Sequence, residues 1–207
     1  MGNQDLSDLP MKVKLPKPDD AGRSHIEELI TKRRSIREYA DRELSEPLIS
    51  RFLWATQGTS SKEGLRTAPS AGALYPLEVH VVIGEGSGLE AGIYRYVTEE
   101  HSLIQEIPGD MRKKLSEAAL SQGMIKNAPV SLLISAIYPR ITSKYGKRGL
   151  RYAHMEAGHA AQNVYLLGVE LGIGTCTIGA FEDEEVKKVL KMPANEDPLY
   201  IMPLGYI

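Results

Sequence analysis

Lys32-Arg33-Arg34-Ser35-Ile36-Arg37-Glu38-Tyr39 is the stretch on whose reading the fold turns. Four cations and a hydroxyl fall within the six residues from Lys32 to Arg37. That donor set can hold a dianionic phosphate and place a fixed positive charge beside an electron-accepting ring. It can equally close a helix, because the C-terminal end of the macrodipole is negative and attracts cations. Upstream, Ser24 with Glu27 three residues on makes a capping box, so a helix should start at His25, carry Ile26, Leu29 and Ile30 on one stripe, and end in the basic run. Ser35 to Tyr39 then falls in a connecting loop.

The bulk properties narrow the setting. At 207 residues the chain suits one large domain, and we expect an extended arm over 1–20, rich in proline, followed by a single domain over 21–207. A net charge of −2 speaks against a general nucleic-acid role, which needs a basic surplus on one face. The lone Cys176 excludes an internal disulfide framework and fits a reducing compartment. No apolar run approaches the ~20 residues that cross a bilayer. Met1 to Leu6 has no apolar core of a secretory signal, and Leu6 stands where myristoylation needs Ser or Thr, so a cytoplasmic location is expected.

Further along, Ser45 caps a second helix with Pro47 in its first turn and Leu48, Ile49, Phe52 and Leu53 on its inner face. Arg66 to Pro76 is a tight loop of small residues and two prolines, with backbone N–H groups open to a ligand. Glu78 to Ile83 reads as a strand. Ile93 to Val97 and Leu103 to Ile107 read as a hairpin. Two helical pieces fit 109–126. Val130 to Tyr138 has the continuous apolar run of a central strand covered on both faces. From Leu150 to Leu171 runs the longest helix, whose stripe of Ala153, Ala157, Ala160, Val164, Leu167 and Leu171 should face a partner helix. Gly172 and Gly174 end it. Cys176 to Phe181 reads as a short strand or turn, Asp183 to Leu190 as a helix, and Leu199 to Tyr206 as a last strand. Helices and strands intermix, so the class is α+β or α/β, with helices on both sides of a mixed sheet.

Several chemistries can be weighed. His154-x-Glu156-x-x-His159 resembles a helical metal motif, but its histidines are five apart and diverge by about 140° around the helix, so no metal site is expected. The glycines at 84, 86 and 88 follow a strand yet lead into a hairpin, which removes the helix N-terminus that a dinucleotide fold requires. Cys176 reads as a small buried side chain or as a nucleophile. Lys144-Tyr145 reads either as part of a solvated basic loop or as an acid/base pair, in which an ammonium stabilises a neighbouring phenolate.

The ordered set resembles the nitroreductase-like FMN-dependent oxidoreductases, and more narrowly the SagB-type thiazoline (azoline) dehydrogenase branch. Its members are Arg33-Arg34-Ser35-Ile36-Arg37, Ala68-Pro69-Ser70-Ala71-Gly72-Ala73-Leu74-Tyr75-Pro76, Lys144-Tyr145-Gly146, Tyr152-x-His154-x-Glu156 running on to Asn163, and Gly172-x-Gly174 with Ile178-Gly179-Ala180-Phe181. Together they cover about residues 24–206. The resemblance implies an α+β nitroreductase fold, a homodimer, and FMN held without a covalent bond at the interface.

On that resemblance Arg33 grips the phosphate and Arg34 assists. Ser35 bonds the phosphate, ribityl or ring edge, and Arg37 stands near the pyrimidine end of the ring. Pro69, Ser70, Ala71, Gly72 and Leu74 line the ring from the partner subunit. Ile178, Gly179 and Ala180 lie under it, offering a backbone N–H to N5. Lys144 and Tyr145 take the catalytic positions of the azoline dehydrogenases. Ala73 stands where many relatives have asparagine, and the chain closes on Gly205-Tyr206-Ile207 without basic residues, so phosphate binding leans on Arg33 and Arg34. The implied activity is hydride transfer through flavin N5. It would either oxidise an azoline-like ring or reduce nitro or quinone compounds with NADH or NADPH. A non-catalytic flavin-binding or carrier protein is the alternative.

Overall fold

The computed structural model describes residues 14–15 and 23–207, so the expected arm over 1–20 lies, apart from residues 14 and 15, outside the described residues. The capping box forms as read: the Ser24 backbone N–H and hydroxyl both donate to Glu27 Oε2, at 2.8 and 2.7 Å, and α1 runs His25–Lys32. Helix α2 (Glu46–Gln57) starts at Ser45 with proline in its first turn and buries Ile49, Phe52 and Leu53. Strands β1 (Leu77–Ile83), β2 (Gly92–Val97) and β3 (Ser102–Pro108) follow, then α3 (Arg112–Ala118), α4 (Gly123–Asn127) and β4 (Val130–Ala136). The chain ends with α5 (Pro139–Tyr145), α6 (Arg148–Leu171), β5 (Ile173–Thr175), α7 (Asp183–Leu190) and β6 (Asp197–Tyr206).

The six strands form one sheet in the order β3-β2-β1-β4-β6-β5, and every pairing is antiparallel. The class is α+β, and the mixed sheet is corrected to an antiparallel one. All seven residues of β4 are buried, as expected, because helices cover both faces. A continuous apolar run reports burial on two sides and says nothing of strand direction. On one face Leu77, Val79, Val81 and Ile83 of β1 meet α2 and α6; on the other, Val82 and Leu133 meet α3, α4 and α7.

Three further expectations change. The Lys144-Tyr145 segment is helical rather than a loop, with Ile141 as its buried residue; a short basic helix with one apolar anchor has no stripe to betray it. The strand expected over Cys176 to Phe181 lies earlier, at Ile173–Thr175, leaving a lone bridge between Ile178 and Ile201. Gly174 therefore sits in a strand, where a Cβ would come within 2.7 Å of Ile36, so the loop after α1 can lie flat against the sheet edge. Finally, Ala153, Ala157, Ala160 and Val164 are buried in the chain's own core. The small residues let α2 approach, so this stripe does not face a partner helix from another copy.

The second sheet face also carries a buried ion pair. His80, 2 % exposed, lies 2.7 Å through Nε2 from Glu196 Oε1, and Glu196 also accepts from the Ser135 hydroxyl. Glu106 stands 3.7 Å from Nδ1. Burial opposes charging the ring, yet the carboxylates of Glu106 and Glu196 overcome it and raise His80 to about 9. A cation whose pKa is higher folded than unfolded stabilises fully below the unfolded value, ~6.5, and loses that contribution as pH climbs through the folded one. Unfolding free energy should therefore fall between about pH 6.5 and 9, and fall less in His80→Gln. Glu196→Gln, which strands the buried cation, should cost about 3 kcal/mol at pH 6. Denaturant titrations across that range check both.

Candidate active site

The residues singled out in the sequence gather in two places along α6. The first is at the sheet edge. Ile36 N–H donates to the Thr175 carbonyl at 2.9 Å and Ala40 N–H to the Tyr206 carbonyl at 2.8 Å, which lays the segment after α1 beside β5 and β6. Tyr165 of α6 ties the pieces together. Its hydroxyl lies 3.1 Å from Ser35 Oγ and accepts from Thr177 N–H at 2.8 Å, while the Arg33 guanidinium covers its ring at 5.1 Å from the centroid. Arg33, Ser35 and the approach to Ile178, Gly179 and Ala180 thus share one wall. Gly179 and Ala180 are exposed, and the nearest atom to a Cβ on Gly179 would be 3.8 Å away, so a flat ligand can approach its backbone closely.

The cations of this wall divide. Arg34 turns back, donating to the Thr31 carbonyl at 3.0 Å and the Arg33 carbonyl at 2.7 Å. It closes the helix, the alternative use of a basic run. Among the described residues no carboxylate pairs with Arg33 or Arg37, so both remain available to an anion. Arg37 draws down the pKa of Cys176, whose thiol burial nevertheless pushes up. Cys176 is 1 % exposed and rests on Met124, the small buried side chain of the first reading.

The second place is the loop before β1. Ala71–Ala73 makes a tight turn, with Gly72, Ala73 and Tyr75 all at positive φ (64°, 52° and 45°). Non-glycine residues hold that conformation only where their surroundings over-determine it. Here Tyr75 N–H donates to Ser70 Oγ at 3.0 Å, the Tyr75 hydroxyl accepts from Arg66 N–H at 3.3 Å, and the Arg66 guanidinium covers the ring at 4.6 Å. Lys144 and Tyr145 face this loop. A Cβ on Gly72 would lie 2.7 Å from the Tyr145 hydroxyl and 3.0 Å from Lys144 Nζ. Tyr145 packs edge-on against Tyr152 at 5.1 Å, and Lys144 Nζ lies 5.4 Å from the Tyr145 centroid. The structure therefore joins the catalytic candidates to the loop of Pro69, Ser70, Ala71, Gly72 and Leu74.

Sequence reasoning assigned no role to Tyr165, Arg66, Gln57, Tyr152 or Glu156. A signal was present for two of them. Tyr152, Glu156 and Asn163 fall within about 40° around a helix of 3.6 residues per turn, a polar line running directly beside the buried alanine stripe. Asn163 donates to the Thr67 carbonyl at 3.3 Å and to the Ala55 carbonyl at 3.1 Å, pinning loop and α2 together. His154 bonds the Tyr138 hydroxyl at 2.7 Å, and among the described residues no three His, Cys, Asp or Glu side chains converge on a metal position.

With this geometry in view, comparison with known proteins is informative. A profile described as the nitroreductase family matches residues 30–206. The chain belongs to the nitroreductase family. It is 44% identical to a Methanocaldococcus jannaschii protein named as a nitroreductase, over 94% of this chain and 96% of that one. It is 29% identical to the microcin B17-processing protein McbC of Escherichia coli, over 67% of this chain and 52% of the relative. Among solved structures, a nitroreductase-like protein of Anabaena variabilis superimposes with a TM-score of 0.77 at 31% identity, over 87% of this chain and 38% of that one. The McbBCD microcin synthetase complex gives 0.75 at 21% identity, over 99% and 79%, which speaks to fold alone. The protein is thus an oxidoreductase of a family that generally uses flavin cofactors and acts on small molecules. Among the described residues no helix is long and apolar enough to cross a membrane.

The crowding at Gly72 yields a direct test. Gly72→Ala should cost about 1–2 kcal/mol from its left-handed backbone, plus a contact penalty from Tyr145. Tyr145→Phe removes the contacting oxygen, so the double variant should regain the contact share and keep the backbone share. Denaturant melts of all four proteins close that cycle.

Proposed function

We propose that the protein is an FMN-dependent oxidoreductase that acts as a homodimer and oxidises azoline-like rings. The observation that carries this reading is the placement of the two walls. Tyr165 and Tyr152, which anchor them, are separated by about 20 Å of α6 at 1.5 Å per residue. One chain then holds both walls but does not close them on a single ring; a second copy, offering its loop to the first copy's cationic edge, would. An apolar surface accompanies them. Helix α1 buries none of its residues, and Ile30 (55 % exposed), Trp54 (48 %), Leu65 and Met155 stand open. A dimer that covered these side chains would take that apolar area out of water.

The donor set fits FMN. Arg33 would take the phosphate, with a guanidinium fork matched to its oxygens. Ser35 would add a hydroxyl, already oriented by Tyr165. Arg37 would place a fixed cation where negative charge gathers on a reduced ring. Ile178, Gly179 and Ala180 would lie beneath it, with Pro69 to Leu74 of the partner above. Bound FMN supplies the two-electron chemistry. Arg34, folded onto its helix, leaves the phosphate to Arg33.

Lys144 and Tyr145 favour the dehydrogenase direction. Ring oxidation of a thiazoline to a thiazole removes a hydride and a proton, and the lysine–tyrosine pair in front of Gly72, once it has given one of its own protons to solvent, would take that proton on the Tyr145 phenolate oxygen or the free amine of Lys144. The likeness to McbC supports the same direction. A reductase reading draws on a different relative, an Archaeoglobus fulgidus protein named for NADH dehydrogenase and NAD(P)H nitroreductase activity, 28% identical over 86% of this chain.

Protein purified with added FMN should be yellow, dimeric on sizing, and able to convert a thiazoline peptide to the thiazole. Lys144→Ala with Tyr145→Phe should remove that conversion while leaving the colour. Bleaching by NADPH with turnover of a nitro compound and none of the thiazoline would favour the reductase reading. Reduction by dithionite alone would leave a flavin carrier. Arg33→Ala should weaken FMN binding by about tenfold or more, whereas Arg37→Ala should slow flavin reduction more than it weakens binding. Calorimetry and stopped-flow absorbance separate the two effects.

A further inference from the structure

One ionisable group at the site has no part in the roles above. Glu156 of α6 is 1 % exposed. Its Oε1 lies 3.5 Å from Gln57 Nε2, and its Oε2 has no hydrogen-bond partner. A buried carboxylate with an empty oxygen is costly, and protonation is the usual escape. Burial pushes the carboxyl up to about 7, with Ser70, Gln57 and Arg66 pulling the other way.

The groups around it come from every element packed there. Ser70 faces it from the loop and Gln57 from α2. The nearest cation, Arg66, is committed elsewhere: Nη1 donates to Gln57 Oε1 at 3.3 Å and Nη2 to Glu99 at 3.0 Å. One turn back on α6 is Tyr152, engaged with Tyr145, and beyond Gly72 stands Lys144. No full counter-charge is therefore seated on Glu156. Ser70 is the hinge of the arrangement, because its oxygen also accepts the Tyr75 N–H that holds the left-handed turn.

We propose that Glu156 is the positioning residue of the Pro69–Leu74 loop, and that it takes up a proton when the site in front of that loop fills. This rests on the FMN reading above. The Ser70 hydroxyl can donate to the carboxylate or accept from the neutral acid, so its contact with Glu156 survives protonation while its oxygen still takes the Tyr75 N–H and keeps the turn in place. A flat ring laid over the loop removes water, and that desolvation favours the neutral acid. Binding then raises the pKa, and the proton is taken up above the free value of about 7. Well below it the acid is already protonated and nothing is taken up.

The test is calorimetric titration of FMN into the full-length protein at pH 7.5, in phosphate and in Tris, whose ionisation enthalpies differ. Wild type should show net proton uptake, and its affinity should fall by about two- to fivefold between pH 7 and 8.5. Glu156→Gln, neutral at every pH, should lose the uptake and bind with flat affinity. Subtracting the two isolates Glu156 from protons on the FMN phosphate. Glu156→Asp should restore part of the pH dependence, which a purely structural role would not. Equal proton counts in wild type and Glu156→Gln overturn the inference while the FMN reading stands. Absence of any FMN heat or colour overturns both. Should Glu156→Gln not fold, the infrared band of a protonated carboxyl in the wild type serves instead. It should grow on FMN addition at pH 7.5, and an unchanged band overturns the inference.

Discussion

The seating of α6 on the sheet, side by side with α2, is the constraint on which the rest depends. Its alanines bring α2 close, and that proximity puts Gln57 over Glu156 and Ala55 within reach of Asn163. The same helix carries Tyr165 toward the edge of β5 and Tyr152 toward α5. Were a large side chain placed at Ala157 or Ala160, both buried, α2 would have to move, and with it every contact that fixes the loop before β1. One packed helix thus sets the geometry of both walls, although neither wall is part of it.

This arrangement explains why the loop can hold strain. Gly72, Ala73 and Tyr75 occupy left-handed backbone, which would relax in an isolated segment. Ser70, Arg66 and Arg140 hold it from three sides, the last donating to the Tyr75 carbonyl at 3.4 Å. Arg140 is anchored in turn on Glu78 of β1. A rigid loop presents its backbone donors without reorganising, which is what a planar ligand needs from its binding surface.

Much of this could be read from the residues, and the losses have physical causes. The capping box at Ser24, the stripe of α2 and the apolar run of β4 are local patterns, and they appear as expected. Strand direction is not local: buried antiparallel and buried parallel strands look alike in sequence. Helix α5 has a single apolar anchor, Ile141, and no period. Gly172 and Gly174 looked equivalent as helix stops, yet Gly172 caps α6 at φ 67° while Gly174 opens space for Ile36. In the site, residue types that bind anions were legible, and their division of labour was not. Arg33 and Arg34 are adjacent in sequence, but only the fold turns one toward Tyr165 and the other onto its own helix end.

The two buried acids on opposite faces of the sheet show how a fold separates structure from chemistry. Glu196 accepts from Ser135 and is matched by the His80 imidazolium, so its charge keeps a dedicated partner until that imidazolium loses its proton at about pH 9. Glu156 has an amide, a hydroxyl and an arginine that is engaged elsewhere. Satisfying it would have required a dedicated cation, and Lys144, which stands against Gly72, faces Tyr145 instead. A carboxyl kept buried without a dedicated partner is a standing cost to stability, largest above its pKa. Such a cost persists where the group's change of charge is itself useful, and here it lies under the loop that the site would press upon.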